Sequence, residues 1–270
     1  MTADRPVALV TGASSGIGEA TAHALVEAGF EVVGTSRKVS GSTAREGVTL
    51  LALDVTSDDS VDDVVQQVIK RFGRIDVLVN NAGIGASGAA EEVSVAQAQR
   101  VFEVNVFGLM RMIKAVLPHM RDRGRGRVIN ISSVAGFVPN PFMAVYVSSK
   151  HAVEGYSESL DHEVRDQGIR VLRVQPGPSN TPFDANMLPA DTPLSIYARQ
   201  RAVFDQVMEE QMRGGDAPAV VAKAVVAAAT DRRPKLSYPA GSIAARVSVL
   251  RRFVPARAFD KTVRKLNRMT

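Results

Sequence analysis

The chain contains no cysteine. Disulfides, thiolate nucleophiles and cysteine-held metals are therefore excluded. Histidine is scarce: His23, His119, His151 and His162 are the full set of four. None lies in an H-E-x-x-H pair or beside a second ligand at metal spacing, so no metal is expected. No stretch approaches the roughly 20 consecutive apolar residues that a membrane-spanning helix needs. The opening Met1-Thr2-Ala3-Asp4-Arg5-Pro6 has no apolar run behind a basic head, so no signal peptide is read there. A cytoplasmic protein is the resulting expectation.

A basic body is also lacking, although the net charge is +5. Residues 241–270 hold Arg246, Arg251, Arg252, Arg257, Lys261, Arg264, Lys265 and Arg268 against the single acid Asp260, so that tail is +7 and the rest of the chain is −2. With the positive charge confined to one end, nucleic-acid binding by the whole domain is not expected.

What is present is enough for one large core: 270 residues, 45% of them hydrophobic. Short apolar β-branched runs alternate with longer amphipathic stretches. Strands are predicted at Val7–Thr11, Glu31–Ser36, Val48–Val55, Ile75–Asn80, Arg127–Ser132, Ile169–Gln175 and Lys235–Tyr238. Helices are predicted near 17–28, 58–72, 94–121, 144–166, 195–213 and 217–230. Several strands are apolar throughout, as strands covered on both faces are. Such alternation implies a doubly wound parallel α/β sheet of about seven strands with right-handed crossovers. The expected organisation is one domain. Residues 1–240 form the dinucleotide-binding and catalytic body, with a substrate loop near 176–215, and residues 241–270 form a basic helical tail.

The first strand runs into Thr11-Gly12-Ala13-Ser14-Ser15-Gly16-Ile17-Gly18 and then a helix. Glycines let the backbone turn tightly and approach a pyrophosphate, and the helix N-terminus offers it N–H groups and the positive dipole end. At the end of the second strand, where an NAD site holds the ribose 2′-hydroxyl with an acid, the residues are Ser36-Arg37-Lys38. Arg37 has donors for a 2′-phosphate and Ser36 leaves it room, so NADP(H) is the expected cofactor. Gly12-Ala13-Ser14-Ser15-Gly16 also matches the G-x-S-x-G elbow of serine hydrolases, with Ser14 as nucleophile. That reading lacks a histidine late in the chain. A dinucleotide sensor without catalysis is the third reading.

Tyr146 and Lys150 form Y-x-x-x-K, a spacing that puts both side chains on one helix face. A lysine cation beside a phenol favours the phenolate, so Tyr146 is expected to have a lowered pKa and to act as general acid–base. Ser133 follows a predicted strand end and can reach the same substrate oxygen. Asn105 stands in the apolar helical run Val104-Asn105-Val106-Phe107, where a buried amide needs partners.

These motifs, taken in order, resemble the short-chain dehydrogenase/reductase family over nearly the whole chain. The matching positions are Thr11–Gly18, Asp54, Asn80-Asn81-Ala82-Gly83, Asn105, Ser133, Tyr146 with Lys150, and Pro176-Gly177 through Thr181. The resemblance implies a sheet ordered 3-2-1-4-5-6-7 and a nicotinamide cofactor across the strand ends. It implies Tyr146 as acid–base, Lys150 also on the nicotinamide ribose, Ser133 on the substrate oxygen and Asn105 on a relay water. By the same resemblance Asp54 faces the adenine, Asn81 lines the ribose and Thr181 meets the carboxamide, and Val55, Ala82, Gly83, Pro176 and Gly177 are also cofactor-binding positions.

Within the family the pattern is most similar to the 17β-hydroxysteroid and retinol dehydrogenase branch. That implies a lipophilic alcohol or ketone, with Phe137, Val138, Pro139, Phe142, Met143, Phe183, Met187 and Leu188 as pocket candidates. It also implies a homodimer or homotetramer through the helices near 94–121 and 144–166.

In the tail, Ile243, Val247, Leu250 and Val254 recur at helical spacing, as do Phe259, Val263 and Leu266, with Pro255 between the two sets. Either this stripe packs on the protein itself or it dips into a membrane surface. The expectation is a soluble enzyme with at most weak, salt-sensitive membrane contact.

Overall fold

The computed structural model describes residues 5–39 and 43–269. Met1–Asp4, read above for a leader, thus lie outside the described residues.

Strand β1 (Val7–Val10) is buried along its whole length. It leads into α1 (Gly16–Glu27) and then β2 (Glu31–Ser36). A short β3 (Thr43–Arg45) folds back antiparallel onto β4 (Val48–Ala52), and α2 (Asp58–Phe72) follows. Ser57 caps α2 by accepting from the Ser60 N–H, and Gly73 closes it in the left-handed conformation. Next come β5 (Val77–Asn80), a short β6 (Gly85–Ser87) and α3 (Val95–Phe102). A π-helical segment (Glu103–Gly108) joins α3 to α4 (Leu109–Asp122). Strand β7 (Gly126–Ile131), α5 (Ala144–Val164) and β8 (Ile169–Pro176) complete the centre. The chain ends with β9 (Met187–Pro189), α6 (Ala198–Arg213), α7 (Pro218–Thr230), β10 (Ser237–Ala240), α8 (Ser242–Phe253) and α9 (Ala256–Leu266).

The main sheet runs β10-β8-β7-β5-β1-β2-β4-β3. Every pairing in it is parallel except β3 with β4. The expected order of seven parallel strands is therefore observed, with β3 added at one edge. Only three residues long, β3 is too short to show an alternating pattern in the sequence. The second addition is a small parallel pair, β6 with β9.

One face of the sheet packs against α2, α4 and α5 through residues such as Val64, Val68, Met112, Ile113 and Val153. The other packs against α1 and α7 through Ala22, Leu25, Val221 and Val225. Burial of this apolar surface is the main force holding the layers together. Strand order reverses between β1 and β5, so a crevice opens at their carboxyl ends, where doubly wound sheets bind ligands.

A chain of buried amides and hydroxyls sets α5 on the sheet. Asn80 Nδ2 donates to Asn130 Oδ1 at 2.9 Å, Asn130 Nδ2 donates to Ser157 Oγ at 2.9 Å, and Ser157 Oγ donates to the Val153 carbonyl at 2.5 Å. These bonds fix the helix that carries Tyr146 and Lys150.

The apolar stripe of the tail packs on the protein only in part. Val247, Val254, Phe259 and Val263 are half-buried, but Ile243, Leu250 and Leu266 are exposed.

Candidate active site

A cavity of about 520 Å³ opens at the carboxyl ends of β1, β2, β4, β5, β7 and β8. The structure places every expected catalytic and cofactor residue except Asn105 on its wall. Gly12, Ser14, Ser15, Gly16, Ile17 and Gly18 come from the first turn, Ser36 and Arg37 from the end of β2, and Asp54 and Val55 from beyond β4. Asn81, Ala82 and Gly83 follow β5, Ser133 follows β7, Tyr146 and Lys150 project from α5, and Pro176, Gly177 and Thr181 follow β8. Asn105 stands behind the wall rather than on it.

The first turn is built for close approach. Gly12 has φ +65° and Gly16 φ +59°, a region that favours glycine. A side chain at Gly18 would meet the Gly12 carbonyl oxygen at 2.1 Å and Asn81 Nδ2 at 2.5 Å. Asn81 holds the turn: its Nδ2 donates to the Thr11 carbonyl at 2.9 Å and to the Gly12 carbonyl at 3.1 Å. Thr11 Oγ1 in return accepts from the backbone N–H groups of Asn81 at 2.9 Å and Ala82 at 3.0 Å. Thr11 was read only as part of the glycine motif, and this locking role needed the three-dimensional neighbour. Ser15, at the N-cap of α1, makes no side-chain cap bond, so the first N–H groups of the helix receive nothing from it. Such a terminus fits a pyrophosphate.

At the far end of the crevice, Arg37 is exposed on the rim and Ser36 Oγ accepts from the Lys38 N–H at 3.3 Å. The Asp54 carboxylate accepts from the Thr56 N–H at 2.9 Å and from its hydroxyl at 2.7 Å. These bonds, foremost the backbone one, hold its pKa below the ordinary value, with help from the Arg37 charge. The glycine turn, the uncapped helix and the cation on β2 together fit a nicotinamide dinucleotide laid across the strand ends.

The catalytic candidates lie at the other end. Lys150 Nζ donates to the Ile131 carbonyl at 2.9 Å and sits 5.7 Å from the Tyr146 ring centre. Burial draws Lys150 down to about 8, against the Glu154 carboxylate, which favours the charged form. Burial also pushes Tyr146 up to about 12, and a hydrogen bond with Ser133 opposes that rise. The expected lowering of the Tyr146 pKa by Lys150 is therefore not what this structure shows: desolvation of the phenol dominates. At neutral pH the hydroxyl keeps its proton. Ser133 Oγ also accepts from the Ala135 N–H at 3.1 Å, which anchors the serine after β7.

Asn105 lies in the π-helical segment, a local distortion often found at functional sites. Its amide clasps the backbone of Ile84, accepting from the N–H at 2.9 Å and donating to the carbonyl at 2.8 Å. The second amide hydrogen goes to Ser149 Oγ at 3.0 Å. The side chain thus ties the wall after β5 to α5, beside Lys150.

The apolar end of the cavity is only partly the one expected. Met143 and Phe183 line it, and the Phe183 ring lies 5.8 Å from that of Tyr146. Phe142 instead packs on Tyr197 and Phe204, with ring centres at 6.3 Å and 5.7 Å. Met187 and Leu188 are used in the β6–β9 pair, and Phe137, Val138 and Pro139 lie off the wall. In their place α6 contributes Met208, Gln211 and Met212. Their register on the cavity side was not legible, because α6 carries charges around much of its circumference. The loop between β9 and α6 is clamped by the fully buried Glu92. Its carboxylate accepts from the Ala89 N–H at 2.9 Å, from the Leu194 N–H at 2.7 Å, and from Arg201.

The hydrolase reading fails on this geometry. Ser14 is exposed, and no histidine lines the cavity. Nor is there a group of acids and histidines able to hold a metal among the described residues.

Known proteins resemble this chain over most of its length. Residues 6–191 match the family model described as short chain dehydrogenase. The chain belongs to the short-chain dehydrogenase/reductase family. Among curated relatives of this oxidoreductase family, it is 40% identical over 239 residues to the 3-ketodihydrosphingosine reductase of Bacteroides thetaiotaomicron, covering 88% of each chain. Among solved structures, a short-chain dehydrogenase from Streptomyces avermitilis superposes with a TM-score of 0.81 at 34% identity, over 98% of this chain and 97% of that one. The 3-ketoacyl-(acyl-carrier-protein) reductase of Brucella melitensis complexed with NADH gives 0.72 at 26% identity, over 86% and 95%. ElxO with NADP bound gives 0.71 at 27% identity, over 86% and 94%. Solved structures of this fold are thus seen with either dinucleotide.

Proposed function

We propose that this chain is an NADP(H)-dependent oxidoreductase that interconverts a lipophilic carbonyl compound and its alcohol. The observation that carries this reading is one continuous cavity with Arg37 on its rim at one end and Tyr146, beside Met143 and Phe183, at the other. Arg37 and Ser36 replace the acid that would hold a ribose 2′-hydroxyl, and a guanidinium is suited to a phosphate. The choice of NADP(H) rests on these residues, since neighbours of this fold are seen with both dinucleotides.

The bound cofactor supplies or accepts the hydride. Tyr146, kept protonated by burial, gives its hydroxyl proton to the carbonyl oxygen during reduction and takes one back during oxidation. Ser133, hydrogen-bonded to Tyr146, orients the same oxygen. Lys150, anchored on Ile131, presents its charge to the Tyr146 ring and its remaining donors to the cofactor ribose. Asn105, with both amide hydrogens given to Ile84 and Ser149, holds the wall beside Lys150, and the remaining lone pair of its amide oxygen is its means of holding a relay water. Phe183, Met143, Met208 and Met212 exclude water from the reacting end and accept an apolar substrate body. The name of the Bacteroides relative, a ketone reductase, favours reduction of a ketone. These catalytic groups also weigh against a pure dinucleotide sensor.

The reading includes a body over 1–240 with a tail over 241–270, a cytoplasmic location, and a homodimer or homotetramer through the helices near 94–121 (α3 and α4) and 144–166 (α5). A panel of lipophilic ketones and alcohols, assayed with NADPH and with NADH, tests it. Turnover of ketones with NADPH is expected, and no turnover of any member with either cofactor would contradict it.

A further inference from the structure

The two tail helices are amphipathic in different senses. In α8 the buried residue is Ala244, while Ile243, Val249, Leu250 and Phe253 are 46%, 57%, 51% and 73% exposed. At about 100° per residue these four fall within an arc of roughly 120°, and the same arc contains Arg246. Ala244 lies on the opposite side. The helix therefore presents its large apolar residues to solvent and its small one to the protein, the reverse of a helix that serves the core. In α9, Phe259 and Val263 are half-buried and Leu266 is 64% exposed, while Arg257, Lys261, Arg264 and Lys265 occupy the other side.

Both helices flank the cavity. Arg251 Nε donates to the Phe137 carbonyl at 3.1 Å, just beyond the segment 133–135 that lines it. Arg268 pairs with Glu210 of α6 at 2.7 Å, next to the lining residues Gln211 and Met212. A side chain at Gly177, another lining residue, would meet Ile243 Cβ at 3.7 Å.

We infer that α8 and α9 form a peripheral docking surface for anionic lipid, set beside the mouth of the active site. Eight cations stand against one acid over residues 241–270, and even with Arg268 paired to Glu210 the excess complements a negatively charged headgroup layer. The exposed Leu250 and Phe253 enter the acyl boundary as the apolar face of an interfacial helix does. Interleaved large apolar residues favour lipid over an acidic protein, whose surface would pair with the cations and leave Phe253 in water. No described helix is long and apolar enough to cross a membrane, so the contact is one of lying on the surface. Charge attraction makes it reversible by salt. The inference concerns where the enzyme sits and stands apart from the identity of its substrate.

The test is co-sedimentation of the full chain with vesicles of phosphatidylcholine alone or doped with phosphatidylglycerol, at low and high salt. The wild type is expected to pellet with the anionic vesicles at low salt. Its partition should fall by at least about tenfold at high salt. Leu250→Ser with Phe253→Ser should lower partition by about tenfold again. Because both residues are exposed, this variant should retain wild-type turnover of a water-soluble carbonyl compound. Arg246→Gln with Arg257→Gln should remove the preference for anionic lipid. Equal sedimentation with and without vesicles would overturn the inference. So would binding unaffected by either variant, or a wild-type oligomer that the double-serine variant splits, since the face would then be covered by a second copy.

Discussion

Lys150 Nζ donates to the Ile131 carbonyl oxygen across 2.9 Å, from the first turns of α5 to the last residue of β7. This bond holds the ammonium at the carboxyl edge of the sheet, 5.7 Å from the Tyr146 ring centre. Four residues on, the Glu154 carboxylate accepts from Gln175 Nε2 at 3.0 Å and pairs with Arg173 at 3.2 Å. Burial lowers the Lys150 pKa to about 8 and Glu154 opposes that lowering.

Cofactor capture is therefore expected to depend on pH through Lys150. Below about 8 the lysine is charged, and as pH rises through that value the charge is lost. The kcat/KM for NADPH, which reports the free enzyme, should fall on the alkaline side of this point. Glu154→Gln keeps the bond to Gln175 but removes the charge that favours protonated Lys150, so the break should move to lower pH. A pH profile of kcat/KM for the two proteins checks this, and an unmoved or upward-moved break would refute the coupling.

Arg37 sets the cofactor choice in this account. Replacing it with Ala should reduce kcat/KM for NADPH by about tenfold to a hundredfold, the effect of a charge-assisted contact to phosphate. The value for NADH should change little. Initial rates with each cofactor measure the ratio, and equal efficiency of the two in the wild type would show that the rim of β2 does not select.

Gly18→Ala tests the cradle. The new Cβ would lie 2.1 Å from the Gly12 carbonyl oxygen, and relief requires the backbone of the turn to move. A loss of about 1–3 kcal/mol in stability is expected, together with weaker cofactor binding. Thermal denaturation and NADPH titration read the two effects.

Asn130→Leu tests what holds α5. It removes a group that accepts from Asn80 and donates to Ser157, leaving buried polar atoms without partners. Each such atom costs about 1–3 kcal/mol, so the urea midpoint should fall clearly.

Much of this was legible in the sequence because the fold repeats a strong local signal. All-apolar strands such as Val7–Val10 can sit only in a sheet covered on both faces. The glycine turn, Arg37, and Tyr146 with Lys150 are each defined by neighbours in sequence, so their spacing carries the chemistry. What was not legible depends on contacts between distant segments. The Asn80–Asn130–Ser157 chain joins residues up to 77 positions apart only after folding. Likewise Thr11 meets Asn81 across 70 residues. The apolar set around Phe142 was misread because that side chain packs on Tyr197 and on Phe204 of α6, partners more than 50 residues away in sequence. The Tyr146 pKa lies above rather than below the ordinary value because burial, invisible in sequence, outweighs the hydrogen bond with Ser133.

The central claim is that the Tyr146 hydroxyl moves the proton while the surrounding site holds the cofactor. Tyr146→Phe removes that hydroxyl and leaves the ring beside Phe183, 5.8 Å away in the wild type. Single-turnover consumption of NADPH with a ketone substrate of the wild type measures it directly. The rate is predicted to fall by about 10²–10⁴-fold while NADPH binding is retained. Reduction by Tyr146→Phe at close to the wild-type rate would contradict the account.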